Sequence, residues 1–132
     1  MKRLIVAQFL ILSFNIAAFS QNSSGDVFTP IGKYLQQGDL DSLAAWFDSN
    51  LELEILGNIN ECSKNQAKQI MKSFFSEYTP KSFKVVHKSG TTPMKYVVGN
   101  LDAGGEVFRV TIFVKTQEKG NFIQQLKIEK KK

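Results

Sequence analysis

Phe108-Arg109-Val110-Thr111-Ile112-Phe113-Val114-Lys115 and, after a break at Glu118–Gly120, Asn121-Phe122-Ile123-Gln124-Gln125-Leu126-Lys127-Ile128-Glu129 are the residues on which the fold turns. Side chains alternate faces along a strand, so a period of two marks a half-buried one. Phe108, Val110, Ile112 and Val114 point one way, and Arg109, Thr111, Phe113 and Lys115 the other. In the second run Phe122, Leu126 and Ile128 share a side with Gln124, which leaves Ile123, Gln125 and Lys127 outside. Two alternating runs joined by a short glycine-bearing break predict an antiparallel hairpin over Glu106–Thr116 and Asn121–Glu129.

Upstream, Phe83–Lys88 and Lys95–Leu101 read as two more strands, separated by Ser89–Pro93 and by Asp102–Gly105. Before them Ser63 and Gln66 form a capping box. Ala67, Ile70, Met71, Phe74, Phe75 and Tyr78 follow at helical spacing, with Lys64, Lys68 and Lys72 on the wet side and Pro80 closing the helix. Leu51–Ile55 alternates apolar with acidic residues and reads as a strand. Asp26 caps a helix carrying Phe28, Ile31 and Leu35. Gly38 ends it, and Asp39 starts a second helix whose stripe is Leu40, Leu43, Ala44 and Phe47. The order is α-α-β-α-β-β-β-β: an α+β domain with three helices packed on a curved, mostly antiparallel sheet.

Residues 1–20 read as a secretory signal peptide. Lys2 and Arg3 precede an apolar stretch, and Ala18-Phe19-Ser20 supplies a small-x-small cleavage pattern. Leu4–Ala18 is shorter than the ~20 apolar residues a membrane span needs, so no stable anchor is expected after cleavage. Gln21–Gly25 is a polar lead-in, residues 26–129 form the domain, and Lys130–Lys132 a basic tail. The full chain of 132 residues carries a formal charge of +5. Without the leader, 15 basic residues face 12 acids, and three of the basic ones are the tail, so nucleic acid is not an expected partner. One cysteine and one histidine exclude an intrachain disulfide and a histidine- and cysteine-rich zinc site. Cys62, where a strand hands over to a helix, is expected to be buried.

Several stretches resemble a family of small exported bacterial proteins, the domain of unknown function 4783, within the nuclear transport factor 2-like superfamily. They are Gly38-Asp39-Leu40-Asp41-Ser42-Leu43-Ala44, Ser63-Lys64-Asn65-Gln66-Ala67, Phe74-Phe75, Ser82-Phe83-Lys84-Val85-Val86-His87, Phe108-Arg109-Val110 and Leu126-Lys127-Ile128-Glu129. The resemblance implies an α+β cone with a cavity between sheet and helices. It brings no catalytic residues, because the family has no established activity.

Three readings follow. As a small-ligand or protein-binding module, the cone would offer an apolar cavity floored by Phe83, Val85, Phe108, Val110 and Ile112, with His87 and Gln124 as its polar groups. Its ligand would be a small apolar molecule; no cofactor and no metal are expected. As a proton-transfer enzyme, an isomerase or lyase, it would need His87 as base with Tyr34, Tyr78 or Tyr96 as donor, since no carboxylate falls on an expected inner face. As an interaction unit, it would use Phe113 and Ile123 on the outer sheet face beside Arg109, and the resemblance implies pairing of two copies through the sheet. The row Lys64, Lys68, Lys72 could likewise meet an acidic partner. The non-catalytic binding module is the reading the residues favour.

Overall fold

The computed structural model describes residues 26–131. The expectations of a leader and a lead-in over residues 1–25, and Lys132 of the tail, lie outside the described residues. Helix α1, Phe28–Gln37, begins where the Asp26 carboxylate accepts the Phe28 N–H (2.9 Å) and the Thr29 hydroxyl (3.1 Å). It ends at Gly38, whose φ of 69° costs a glycine nothing, and the Gly38 and Asp39 N–H groups close on the Leu35 and Tyr34 carbonyls. Asp39 caps helix α2, Leu40–Ala44, accepting from the N–H (3.2 Å) and hydroxyl (2.7 Å) of Ser42.

Phe47 does not continue that helix as its spacing suggested. It opens strand β1, Phe47–Ile55, and stands opposite Ile123 in the sheet, so cross-strand burial overrides a one-turn helical stripe. A two-residue turn, Leu56-Gly57, with φ of 50° and 90°, leads into strand β2, Asn58–Ser63. The sequence reading lacked this strand, so the sheet has six strands where five were expected. Asn58-Ile59-Asn60-Glu61 is exposed throughout, and a strand that buries only Cys62 leaves no alternation to read.

The predicted capping box is present at Ser63 and Gln66 (3.0 and 3.3 Å) and starts helix α3, Lys64–Glu77, which buries Ala67, Met71, Phe74 and Phe75. Strands β3 (Pro80–Thr91), β4 (Met94–Ala103), β5 (Glu106–Gln117) and β6 (Gly120–Lys130) complete the chain. The order across the sheet is β2-β1-β6-β5-β4-β3, with β1 and β6 parallel and every other pair antiparallel. The helices cover one face. Leu53, Ile123, Leu126, Ile128, Phe108, Val110, Ile112, Val97 and Leu101 meet them in a core that holds no buried polar side chain among the described residues.

Two bulges decide which residues face that core. In β6 the register passes from Phe113–Gln125 to Val114–Ile123, so Gln124 is the extra residue. Residues before it are thereby turned to the opposite face from the one strict alternation gives them. Ile123, expected outside, is fully buried beside Val114. Phe122, expected inside, pairs with Lys115 on the far face. In β3 the register passes from Val85–Gly99 to His87–Val98, leaving Val86 extra and turning His87 outward.

Candidate functional site

The residues expected to floor a cavity divide into two groups. Phe108, Val110 and Ile112 are fully buried in the core. Phe108 meets Tyr78 and Phe74 edge-on, with centroids 4.9 and 5.2 Å apart. Phe83 is half-buried, and its ring lies between α1 and β4 at two glycines. A Cβ on Gly99 would overlap that ring, and one on Gly32 would sit 3.1 Å from it.

The other group lies away from the core. Val85 is 42% exposed, on an edge strand opposite a glycine that offers it no side chain. His87 is exposed on the outer face because of the Val86 bulge. Gln124, half-buried at its own bulge, donates its amide to Asp48. So the expected polar pair, His87 and Gln124, does not meet inside the domain.

What the sequence placed apart, the outer face brings together. Cross-strand pairing sets Phe113 opposite Tyr96, and Arg109 opposite Asn100, on the side away from the helices. Tyr96 stacks on Phe113 with centroids 5.1 Å apart and planes inclined by 28°. On its other side Tyr96 meets the His87 ring at 5.7 Å, with its hydroxyl 3.4 Å from His87 Nε2. Aromatic pairs at such spacings contribute roughly 0.5–1.5 kcal/mol beyond the area they bury. The row continues into an open groove of about 330 Å³ whose lining includes Phe113, Met94, Gln125, Glu52 and Glu61. Glu52 accepts from Gln125 (2.8 Å) and stands directly across from Glu61. Arg109 is exposed on the same face, whereas Ile123 does not belong to it. Tyr96 and Met94 were absent from the sequence-derived surface; the register of β4 against β5 would have added them.

At one end of the sheet a second feature escaped the sequence reading. Between Phe47 and Glu52 strand β1 carries extra residues opposite the β6 bulge, and Asp48 fills the gap. It accepts from Gln124, from Gln117 (3.0 Å) and from the Ser49 N–H (2.8 Å). Partial burial pushes its carboxyl up, but these hydrogen bonds and the Lys115 charge outweigh that and hold it below the ordinary value of 3.8. An open groove of about 540 Å³ adjoins it, lined in part by Phe122, Lys64 and Lys119.

The remaining reactive groups are placed structurally. Cys62 is buried, and desolvation, with the neighbouring Glu61 charge, raises its thiol. Lys68 pairs with Asp41 and so ties α3 to α2; Lys88 pairs with Asp26 (2.8 Å). Tyr78 belongs to the Phe74–Phe108 cluster, which leaves Tyr96 as the tyrosine beside His87. Among the described residues no group of three or more His, Cys, Asp or Glu side chains converges to hold a metal, and no helix is long and apolar enough to cross a membrane.

The profile of the family described as Domain of unknown function (DUF4783) matches residues 28–129. The chain is similar to the crystal structure of a protein of that family from Bacteroides uniformis, with a TM-score of 0.77 and 24% identity over 81% of this chain and 99% of that one. A relative from Bacteroides ovatus gives 0.74 and 23%, over 78% and 94%. An NTF2-like protein of unknown function from Cytophaga hutchinsonii gives 0.60 and 12%, over 80% and 88%. No curated protein matches the sequence.

Proposed function

The chain belongs to the family described as Domain of unknown function (DUF4783), and from that premise we propose that it is an exported, non-catalytic interaction module working through the outer face of its sheet. The observation that carries this reading is the aromatic row His87–Tyr96–Phe113 on the face the helices leave uncovered. Aromatic side chains with polar edges are the residues that anchor protein interfaces. Met94, 38% exposed, extends the row, and Arg109, Lys127 and Glu52 supply a charged rim. The expected cavity floor supports the same choice: Phe108, Val110 and Ile112 are already covered by helix side chains.

Two copies pairing through Phe113 is the form of interaction we favour, with Arg109 at the rim. Sedimentation of the exported protein tests it. The unmodified chain should associate with rising concentration, and Phe113→Asp should remain folded by circular dichroism and sediment as a monomer. Identical profiles for the two would end the proposal. The enzyme reading rests on the 3.4 Å approach of His87 to the Tyr96 hydroxyl, in a place open to water, where nothing shields a reacting group from solvent. Export itself is tested by the N-terminal sequence of the protein recovered outside the cytoplasm, which should begin at Gln21.

A further inference from the structure

The sheet has two edges, and among the described residues they are protected unequally. Along β3 the bulge at Val86 breaks the pairing, and Lys81, Lys84 and Lys88 line the strand. Helix α1 lies against it, with Gln36 Oε1 accepting the Phe83 N–H (3.2 Å). These are the devices by which edges avoid recruiting another chain. Among the described residues strand β2 has neither bulge nor lysine, and α3 borders it across a groove rather than pairing with its edge. Its six pairs with β1 run unbroken from Asn50–Ser63 to Ile55–Asn58, and it contains neither lysine nor proline. After a two-residue turn, the alternation of an antiparallel ladder directs the N–H and C=O of Ile59 and Glu61 away from β1.

The same place breaks two further rules. Ile59 is 62% exposed. Leu56, 37% exposed, holds a φ of 50°, which a branched residue adopts only at a cost. Between this hairpin and α3 runs an open groove of about 620 Å³, walled by Ile55, Leu56, Ile70, Phe74 and Tyr78. Glu77 is the one charged residue among those that line it, and Glu61 stands on the edge itself.

We propose that β2 accepts an extended segment of a partner protein as a seventh strand. Alternate apolar side chains of the segment enter the groove beside α3, and a lysine or arginine among them meets Glu77. Main-chain hydrogen bonds supply most of the affinity in such strand addition and the pockets supply the choice of sequence, so a generic extended peptide reads the edge.

The probe is an acetylated, amidated nine-residue peptide alternating threonine and valine around a central lysine. It is titrated to millimolar concentration into the isotopically labelled exported protein and followed by amide exchange in two-dimensional NMR. Exchange at Ile59 and Glu61 should slow by about tenfold or more, as it does for amides that gain a ladder partner. The Ser73 and Glu77 signals should shift with it. A glutamate in place of the central lysine should weaken binding about tenfold, the effect of one ion pair lost and one repulsion gained. Proline in place of the valines should abolish it. In the protein, Ile59→Pro removes an outward N–H without breaking a β1 pair and should also abolish it. Unchanged exchange at Ile59 and Glu61, or equal binding of the proline peptide, overturns the proposal. So does protection that appears with protein concentration alone, which would make a second copy the occupant. Phe113→Asp should leave the peptide response intact, which separates this edge from the outer-face reading.

Discussion

Gln124 donates its side-chain amide to the carboxylate of Asp48, 76 positions earlier in the chain. The contact joins the irregularity of β1 to the bulge of β6 across the one parallel pair of the sheet. Gln117 donates to the same oxygen, so one carboxylate fixes the register of the N-terminal hairpin against the C-terminal strand.

Asp48→Ala is therefore expected to lower unfolding stability by about 1–2 kcal/mol, the size of a partly exposed, charge-assisted hydrogen-bond set. Urea denaturation measures it. A loss within experimental error would mean that the bulges hold without their tie.

The acid limb of stability follows from the same groups. Asp48, Asp26 and Asp39 all titrate below the ordinary 3.8; in Asp39 the Ser42 hydroxyl and N–H are the cause, and in Asp26 bonds from Lys88, Phe28 and Thr29 outweigh its partial burial. A carboxylate whose folded value is depressed contributes its full stabilisation above the unfolded value and loses it as pH falls through the folded one. Stability should be level above about pH 4 and decline below it. Asp48→Asn should show a shallower decline than the unmodified protein, in urea titrations from pH 6 down to pH 2. An equal or steeper decline in the variant contradicts the assignment.

Register makes a sharper comparison between Ile123 and Phe113. Ile123 is fully buried beside Val114, and Phe113 lies on the outer face. Ile123→Ala should cost about 2–5 kcal/mol, the range for a large residue removed from a packed core. Phe113→Ala, measured at a concentration where the chain is monomeric, should cost about 1 kcal/mol or less. The reverse order would restore the strict alternation of β6 and remove the bulge.

How far the sequence carried the reading depended on whether burial was periodic. The β5 alternation from Phe108 to Val114, the capping box at Ser63 and Gln66, and the glycine stop at Gly38 are each local signals, and the fold holds all three. Gln124 and Val86 are single insertions, and one insertion flips every side chain that precedes or follows it to the other face. That is why Ile123 and His87 changed sides while Val110 and Ile112 did not. Strand β2 buries Cys62 alone, which leaves no alternation to announce it, and Asp48 carries no local signal because its partners are 69 and 76 positions away. The outer aromatic row was half legible: Phe113 shows in its own strand, whereas Tyr96 and His87 join it only through cross-strand register.

Gly99 offers a test of the α1–sheet junction. Its missing side chain admits the Phe83 ring, and Gly99→Ala would force that ring to move. Overpacking of this kind costs about 1–3 kcal/mol. Phe83→Leu in the same chain should recover part of the loss; no recovery in thermal unfolding would mean that the ring is not what the new methyl meets.

The most direct measurement is side-chain oxidation footprinting of the protein at low and high concentration. An interface at the outer face predicts that Tyr96, Phe113 and Met94 become protected as concentration rises, while Leu56, exposed at the turn between β1 and β2, keeps its reactivity. Equal oxidation of Tyr96 and Phe113 at every concentration would contradict the claim that this chain acts through that face.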